Sequence, residues 1–183
     1  VYEKVPTSAI VRPSQTDRIT CSGSYTDVWD ASKDFSITNN PNGAWSYGRK
    51  WTPDAASFDV LTELYNGQAW WFGNWGNGAP SVWAGMYLWA KNNSNGLPVL
   101  RWTTPNAGVF ALTSTFVGSD SRGVDVIVYI VLNDSVIFTD TVQSYMDSTT
   151  YSINSISLNQ GDHIDFLVQW NGGVYSEYSL TGI

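Results

Sequence analysis

The chain has 183 residues, enough for one domain with a substantial core that needs neither metal nor disulfides. Charged residues make up only 14%, with nine Lys and Arg against sixteen Asp and Glu, a net charge of −7. That balance, with no basic run, argues against nucleic-acid binding, and no apolar run reaches the ~18 residues of a membrane span. The single cysteine, Cys21, excludes an intrachain disulfide and reads as a small hydrophobe.

Residues 1–24 are rich in Ser, Thr and Pro and open V-Y-E-K-V-P, without the apolar segment of a leader peptide. This stretch reads as an N-terminal arm or linker, with a candidate strand at 9–12 or 18–21. Such an arm can dock on a neighbouring subunit by strand addition. Residues 25–183 read as one β-sandwich domain. Asn39-Asn40-Pro41-Asn42-Gly43 is a dense turn signal, and alternation after it puts Trp45 and Tyr47 on one face of a strand.

The stretch 66–90 carries five of the ten tryptophans, Trp70, Trp71, Trp75, Trp83 and Trp89, interleaved with glycines and Pro80. Indole buries a large area yet has an N–H that needs a partner. One core has limited room for ten such rings, so some of this cluster is expected to lie open to a flat ligand. If Gln68 to Trp75 is extended, Trp70 shares a face with Phe72, and Trp71 shares one with Gly73 and Trp75. The Phe72 side is the expected core side, and glycine between two indoles leaves an open floor on the other.

The second half is β throughout. Val109 to Val117 is apolar and β-branched, and Val124 to Leu132 alternates. Asn133-Asp134-Ser135 then gives a hairpin signal into Val136-Ile137-Phe138. Ile164, Phe166, Val168 and Trp170 fall on one face of a later strand, and a closing strand is expected within Tyr175 to Ile183. Without any long 3.6-residue period, the class is all-β: a β-sandwich or jelly roll of antiparallel strands. Trp102 and Trp170 are expected in the core, while Trp29 and Trp51 fit either core or surface.

The segment D-F-S-I-T-N-N-P-N-G-A-W-S-Y-G, Asp34 to Gly48, resembles the opening of a bacterial extracellular β-sandwich domain type. Pro80-Ser81-Val82-Trp83, Val99 to Gly108 and Asn159 to Phe166 continue the resemblance in order, so that it covers roughly 25–183. That domain type is similar to jelly-roll carbohydrate-binding modules and has no single activity of its own. Its implications are a secreted or cell-surface location and a structural calcium ion as the candidate cofactor. The density of tryptophan at Trp70-Trp71 and Trp89 departs from its pattern.

Three chemistries compete. Catalysis by a triad would have to use His163, the one histidine, which sits at a strand start. A hydrolytic carboxylate pair would draw on few glutamates, Glu3, Glu63 and Glu177. The expectation is therefore a non-enzyme. For metal, Asp27, Asp30 and Asp34 cluster early and Asp162 and Asp165 late, and calcium can gather oxygens from distant loops. Zinc is disfavoured with one His and one Cys. For carbohydrate, the platforms are Trp71, Trp75, Trp83 and Trp89, with Trp45 and Tyr47 completing the site or anchoring its loop. Asn74 and Asn77, with Gln68, Asn92 and Asn93, are the amides for sugar hydroxyls.

The leading expectation is a non-catalytic extracellular domain that binds a polysaccharide or glycan. The alternative is a structural or adhesion subunit of a surface layer, filament or viral particle. In that case the rings would be interface anchors and the arm would contact a neighbour.

Overall fold

A computed structural model describes residues 18–21, 27–72, 80–90, 93–121, 123–172 and 180–182, the first and last of these as backbone. In chain order the strands are β1 (Arg18–Cys21), β2 (Val28–Asp30), β3 (Trp45–Lys50), β4 (Asp59–Val60) and β5 (Glu63–Tyr65). Then come β6 (Ala69–Trp71), β7 (Ser81–Trp83), β8 (Tyr87–Trp89), β9 (Leu97–Thr103) and β10 (Gly108–Gly118). The last five are β11 (Val126–Leu132), β12 (Ser135–Val142), β13 (Ser148–Leu158), β14 (His163–Trp170) and β15 (Leu180–Gly182). Among the described residues the helical content is one turn, α1 (Ala31–Asp34), against 56% strand, so the protein is all-β.

Two antiparallel sheets face each other. The nine-stranded sheet runs β2-β1-β10-β15-β8-β7-β6-β5, with β13 also on β10. One edge of β10 carries β13 and the other is shared by β1 and β15. The six-stranded sheet runs β12-β11-β14-β9-β3-β4. The end of the expected arm therefore lies inside the larger sheet: β1 is hydrogen-bonded between β2 and β10. Residues 1–17 are outside the described set.

Period-2 alternation builds the core. In β11 Val126, Val128 and Ile130 point inward, and in β14 Ile164, Phe166 and Val168 do the same. The hairpin between β11 and β12 forms as the sequence indicates. Asn133 (φ 45°) and Asp134 (φ 64°) are both left-handed, as a type I′ turn requires.

Aromatic pairs connect the sheets. Trp102 of β9 meets Phe110 of β10 and Trp29 of β2, both at 5.3 Å between ring centres. Tyr47 of β3 lies parallel to Trp70 of β6, 6.3 Å away and 10° apart. Trp102 is fully buried as expected, and Trp170 is half-buried against the same cluster. Trp29 packs on the core, whereas Trp51 is 53% exposed. Gly48 permits one close approach in β3. A side chain there would collide with the Phe58 ring and come 2.8 Å from the Asp59 carbonyl.

Burial pushes the Tyr47 hydroxyl up to about 12. The nearby Asp34 charge adds to this, while the Ser36 N–H, donating to that hydroxyl at 3.0 Å, works against it. The unfolded phenol ionises near 10, so its contribution is complete below pH ~10 and is lost as pH rises toward 12. Tyr47→Phe should flatten this alkaline limb in denaturant melts between pH 9 and about 12. An unchanged slope would mean that another group sets it.

A charged network occupies the interior. Lys50 and Asp165 are both fully buried. Lys50 Nζ donates to Asp165 at 3.2 Å and to Asp134 at 2.9 Å, while Arg101 clamps Asp165 through two hydrogen bonds of 2.6 and 2.8 Å. Bidentate geometry of this kind is the strong form of ion pairing. Burial opposes the charge of Asp134, yet its hydrogen bond and charge pairing with Lys50, and with His163, hold its pKa low.

A candidate ligand-binding face

Strands β5 to β8 form a run of two short hairpins at one end of the larger sheet. The first turn, Tyr65-Asn66-Gly67-Gln68, closes by a 2.9 Å bond from the Gln68 N–H to the Tyr65 carbonyl, with positive φ at Asn66 and Gly67. The second closes from the Met86 N–H to the Trp83 carbonyl, with Gly85 at φ 88°. The Tyr87 ring lies against Gly85, where a Cβ would come within 3.0 Å of it. A bond from the Ala84 N–H to the Gln68 carbonyl, 2.8 Å, ties the two hairpins together.

Alternation then divides the residues between two faces. Trp70, Val82 and Leu88 enter the core. Register places Tyr65, Ala69, Trp83 and Tyr87 in one row across the opposite face, and Glu63, Trp71, Ser81 and Trp89 in the next. Ala69 and Ser81 are buried beneath the larger side chains and make the floor. Tyr65, Trp71, Trp83 and Tyr87 stay half-buried.

The rings on this face touch one another. Tyr65 lies 5.3 Å from Trp71 and 5.5 Å from Trp83, and Trp83 lies 6.5 Å from Trp89. Their planes are inclined by 53°, 62° and 64°. Edge-to-face contacts of this kind favour the ring quadrupoles and hold each ring in place. Trp83 is fixed further by its indole N–H, which donates to Ser81 Oγ at 2.8 Å. The result is a pre-built aromatic ridge standing on a small-residue floor, with the Glu63 carboxylate exposed at its margin.

Of the expected platforms, Trp71, Trp83 and Trp89 come together here. Trp89 is 8% exposed and buttresses Trp83 rather than opening to solvent. Trp45 and Tyr47 belong elsewhere. They are 2% and 0% exposed, in the core between the sheets, because the inward face of β3 is the one that carries them. Trp75, Asn74, Asn77 and Asn92 lie outside the described residues, as does Gly73. Asn93 is committed to Trp170, donating to its carbonyl at 2.8 Å and accepting from its N–H at 2.9 Å. Gln68 is exposed in the first turn.

Tyr65 and Tyr87 were not anticipated. Tyr65 precedes Asn66-Gly67, and reading that pair as a hairpin turn would have set it beside the tryptophans. Phe72 departs from its expected core position. It is 38% exposed and receives the Arg49 guanidinium 3.4 Å above its ring centre.

The five aspartates named for calcium do not assemble into one site. Asp30 caps α1, accepting from Ser32 N–H and Lys33 N–H and pairing with Lys33 Nζ at 2.8 Å. Asp34 accepts from the Asp30 N–H at 3.0 Å and from the Trp45 indole at 3.2 Å. Asp162 closes a turn, accepting from the Asn159 N–H and the Asn133 amide. Asp165 is held by Lys50 and Arg101.

Among the described residues, the group that brings three ligand atoms together is Asp134, His163 and Asp165, within 4.8 Å of one another. There the Lys50 ammonium already stands between the two carboxylates, where a metal ion would sit. His163 Nε2 lies 3.4 Å from Asp134 Oδ1. An open cleft of about 410 Å³, lined by Asp27, Trp29, Asp34, Asn42 and Trp45 among others, lies by β2 and α1. Melting curves of chelator-stripped protein with and without millimolar calcium test the calcium expectation directly, since an ion held only by the folded state raises the melting temperature. A rise of several degrees would show a bound ion, and an unchanged midpoint would remove calcium from the account.

The class defined by this structure is an all-β sandwich that presents an aromatic ridge on one face. No protein-family model matches the chain, and no curated protein matches it. Among solved structures, an isomalto-dextranase of Arthrobacter globiformis T6 complexed with panose is similar over 93% of this chain, at 9% identity and a TM-score of 0.31. This chain spans 29% of that chain's length.

Proposed function

We propose that the protein is a non-catalytic extracellular domain that binds a glycan through the outer face of β5 to β8. The observation that carries this reading is the ridge of Tyr65, Trp71 and Trp83, partly exposed and held in place by mutual contact. Apolar sugar faces stack on such rings, and a pre-organised site avoids the entropy of ordering side chains on binding. The exposed Glu63 carboxylate supplies a strong acceptor for a sugar hydroxyl.

A second reading, a subunit that contacts neighbours, draws on a different place. Trp51, Phe72 and Leu64 are exposed by 53%, 38% and 46% on or beside the edge strands β4 and β5. Contacts between subunits favour such aromatic anchors.

Tryptophan fluorescence titrated with a panel of soluble polysaccharides tests the first reading, and sedimentation of the same samples tests the second. A saturable spectral change in a monomer is expected. A silent panel from a protein that forms ordered oligomers would reverse the order of the two.

A further inference from the structure

We infer, resting on the glycan reading above, that the ridge takes a single solvated, uncharged glycan chain, and not a crystalline polysaccharide face or an acidic polysaccharide. Two independent features of the face lead there.

The first is shape. A crystalline face is flat and rigid, so it engages several rings at once only if they are coplanar. Here the planes of the accessible rings differ by 53° from Trp71 to Tyr65 and by 62° from Tyr65 to Trp83. The rings are locked by edge contacts and by the Trp83–Ser81 bond, so they cannot flatten without losing those contacts. A rigid plane therefore cannot lie flat on Trp71 and Tyr65 together, nor on Tyr65 and Trp83 together. A solvated chain turns from one sugar unit to the next and can lay successive faces on facets of different inclination.

The second is charge. The outward positions of β5 to β8 are Glu63, Tyr65, Ala69, Trp71, Ser81, Trp83, Tyr87 and Trp89, with no cation among them. Glu63 stands directly across from Trp71, is exposed, and pairs with no cation among the described residues. Arg49, on the neighbouring edge, is already committed to Asp59, the Asn95 carbonyl and the Phe72 ring. A uronate bound on Trp71 would lie within one Debye length, about 8–10 Å, of the Glu63 carboxylate. The net charge of −7 repels a polyanion before contact.

Native-gel retardation by dextran, galactomannan, soluble starch, hydroxyethyl cellulose and polygalacturonate, with pull-down on microcrystalline cellulose and crystalline chitin, tests this. Retardation by at least one neutral polymer is expected. Retention on the powders should be no more than that of a non-binding control protein, and polygalacturonate should bind at least about tenfold more weakly than the best neutral polymer. Glu63→Gln should tighten polygalacturonate binding at least about threefold at low salt. Retention on a powder above that control, polygalacturonate binding as tight as neutral binding, or polygalacturonate binding unmoved by Glu63→Gln would overturn the inference while leaving glycan binding in place. No binding to any polymer would remove the glycan reading itself.

Discussion

Trp70→Ala is expected to destabilise the domain by about 3–5 kcal/mol, the range for deleting a buried aromatic side chain. Trp70 is 7% exposed and lies parallel to Tyr47. Its indole N–H donates to the Ser36 carbonyl at 2.6 Å, so the substitution also orphans an acceptor in the segment that follows α1. Its neighbour in sequence points the other way. Trp71→Ala should cost no more than about 1 kcal/mol, since its partly exposed ring faces away from the core, where it meets Tyr65. Denaturant melts on the two variants read this directly, and equal losses would mean that β6 does not divide its tryptophans between two faces.

Asp165→Asn is the second large effect, at about 3–5 kcal/mol, the range for breaking a buried ion pair from one side. Asn keeps the volume but leaves the fully buried Lys50 ammonium with one carboxylate and the Arg101 guanidinium without its bidentate partner. The reverse substitution is predicted to be mild. In Lys50→Met the apolar stem remains, Asp165 keeps Arg101, and Asp134, with 29% of its side chain exposed, turns to water. Its cost should stay below about 1.5 kcal/mol, since removing a buried charge also removes its desolvation penalty. Losses of similar size in both variants would mean that the pair, and not the stranded charge, dominates.

The two tryptophans and the buried pair also mark what could be read from the amino acids alone. Where a strand alternates over several turns of the pleat, the sequence is enough. The inward sets of β11 and β14 and the Asn133-Asp134 hairpin follow from period 2 and turn chemistry, whereas the opposed orientation of Trp70 and Trp71 holds within the three residues of β6 although Phe72 does not join Trp70 in the core. Alternation identifies two faces without saying which one is covered. Trp45 and Tyr47 were grouped correctly on one side of β3, but that side faces the other sheet, so their rings are core. Tyr65 was hidden for another reason. Strand β5 is three residues long, too short to show a period, and only its pairing with β6 brings the ring to Trp71.

The Lys50–Asp165 pair was beyond reach, because its partners are 115 residues apart and lysine ordinarily belongs at the surface. The aspartates illustrate the converse. Asp30, Asp34 and Asp162 look like ligands when counted by type. In the structure each oxygen-rich cluster is largely spent on caps and turns, the local bonding that aspartate favours.

The most direct measurement of the glycan-binding face is isothermal titration of the parent, Trp71→Ala and Trp83→Ala with the soluble polysaccharide that binds the parent best, beside melting curves of all three. Each variant should retain a cooperative melt yet bind at least about tenfold more weakly, a loss of ~1.4 kcal/mol. If both variants are folded and bind like the parent, the outer face of β5 to β8 is not where the glycan sits.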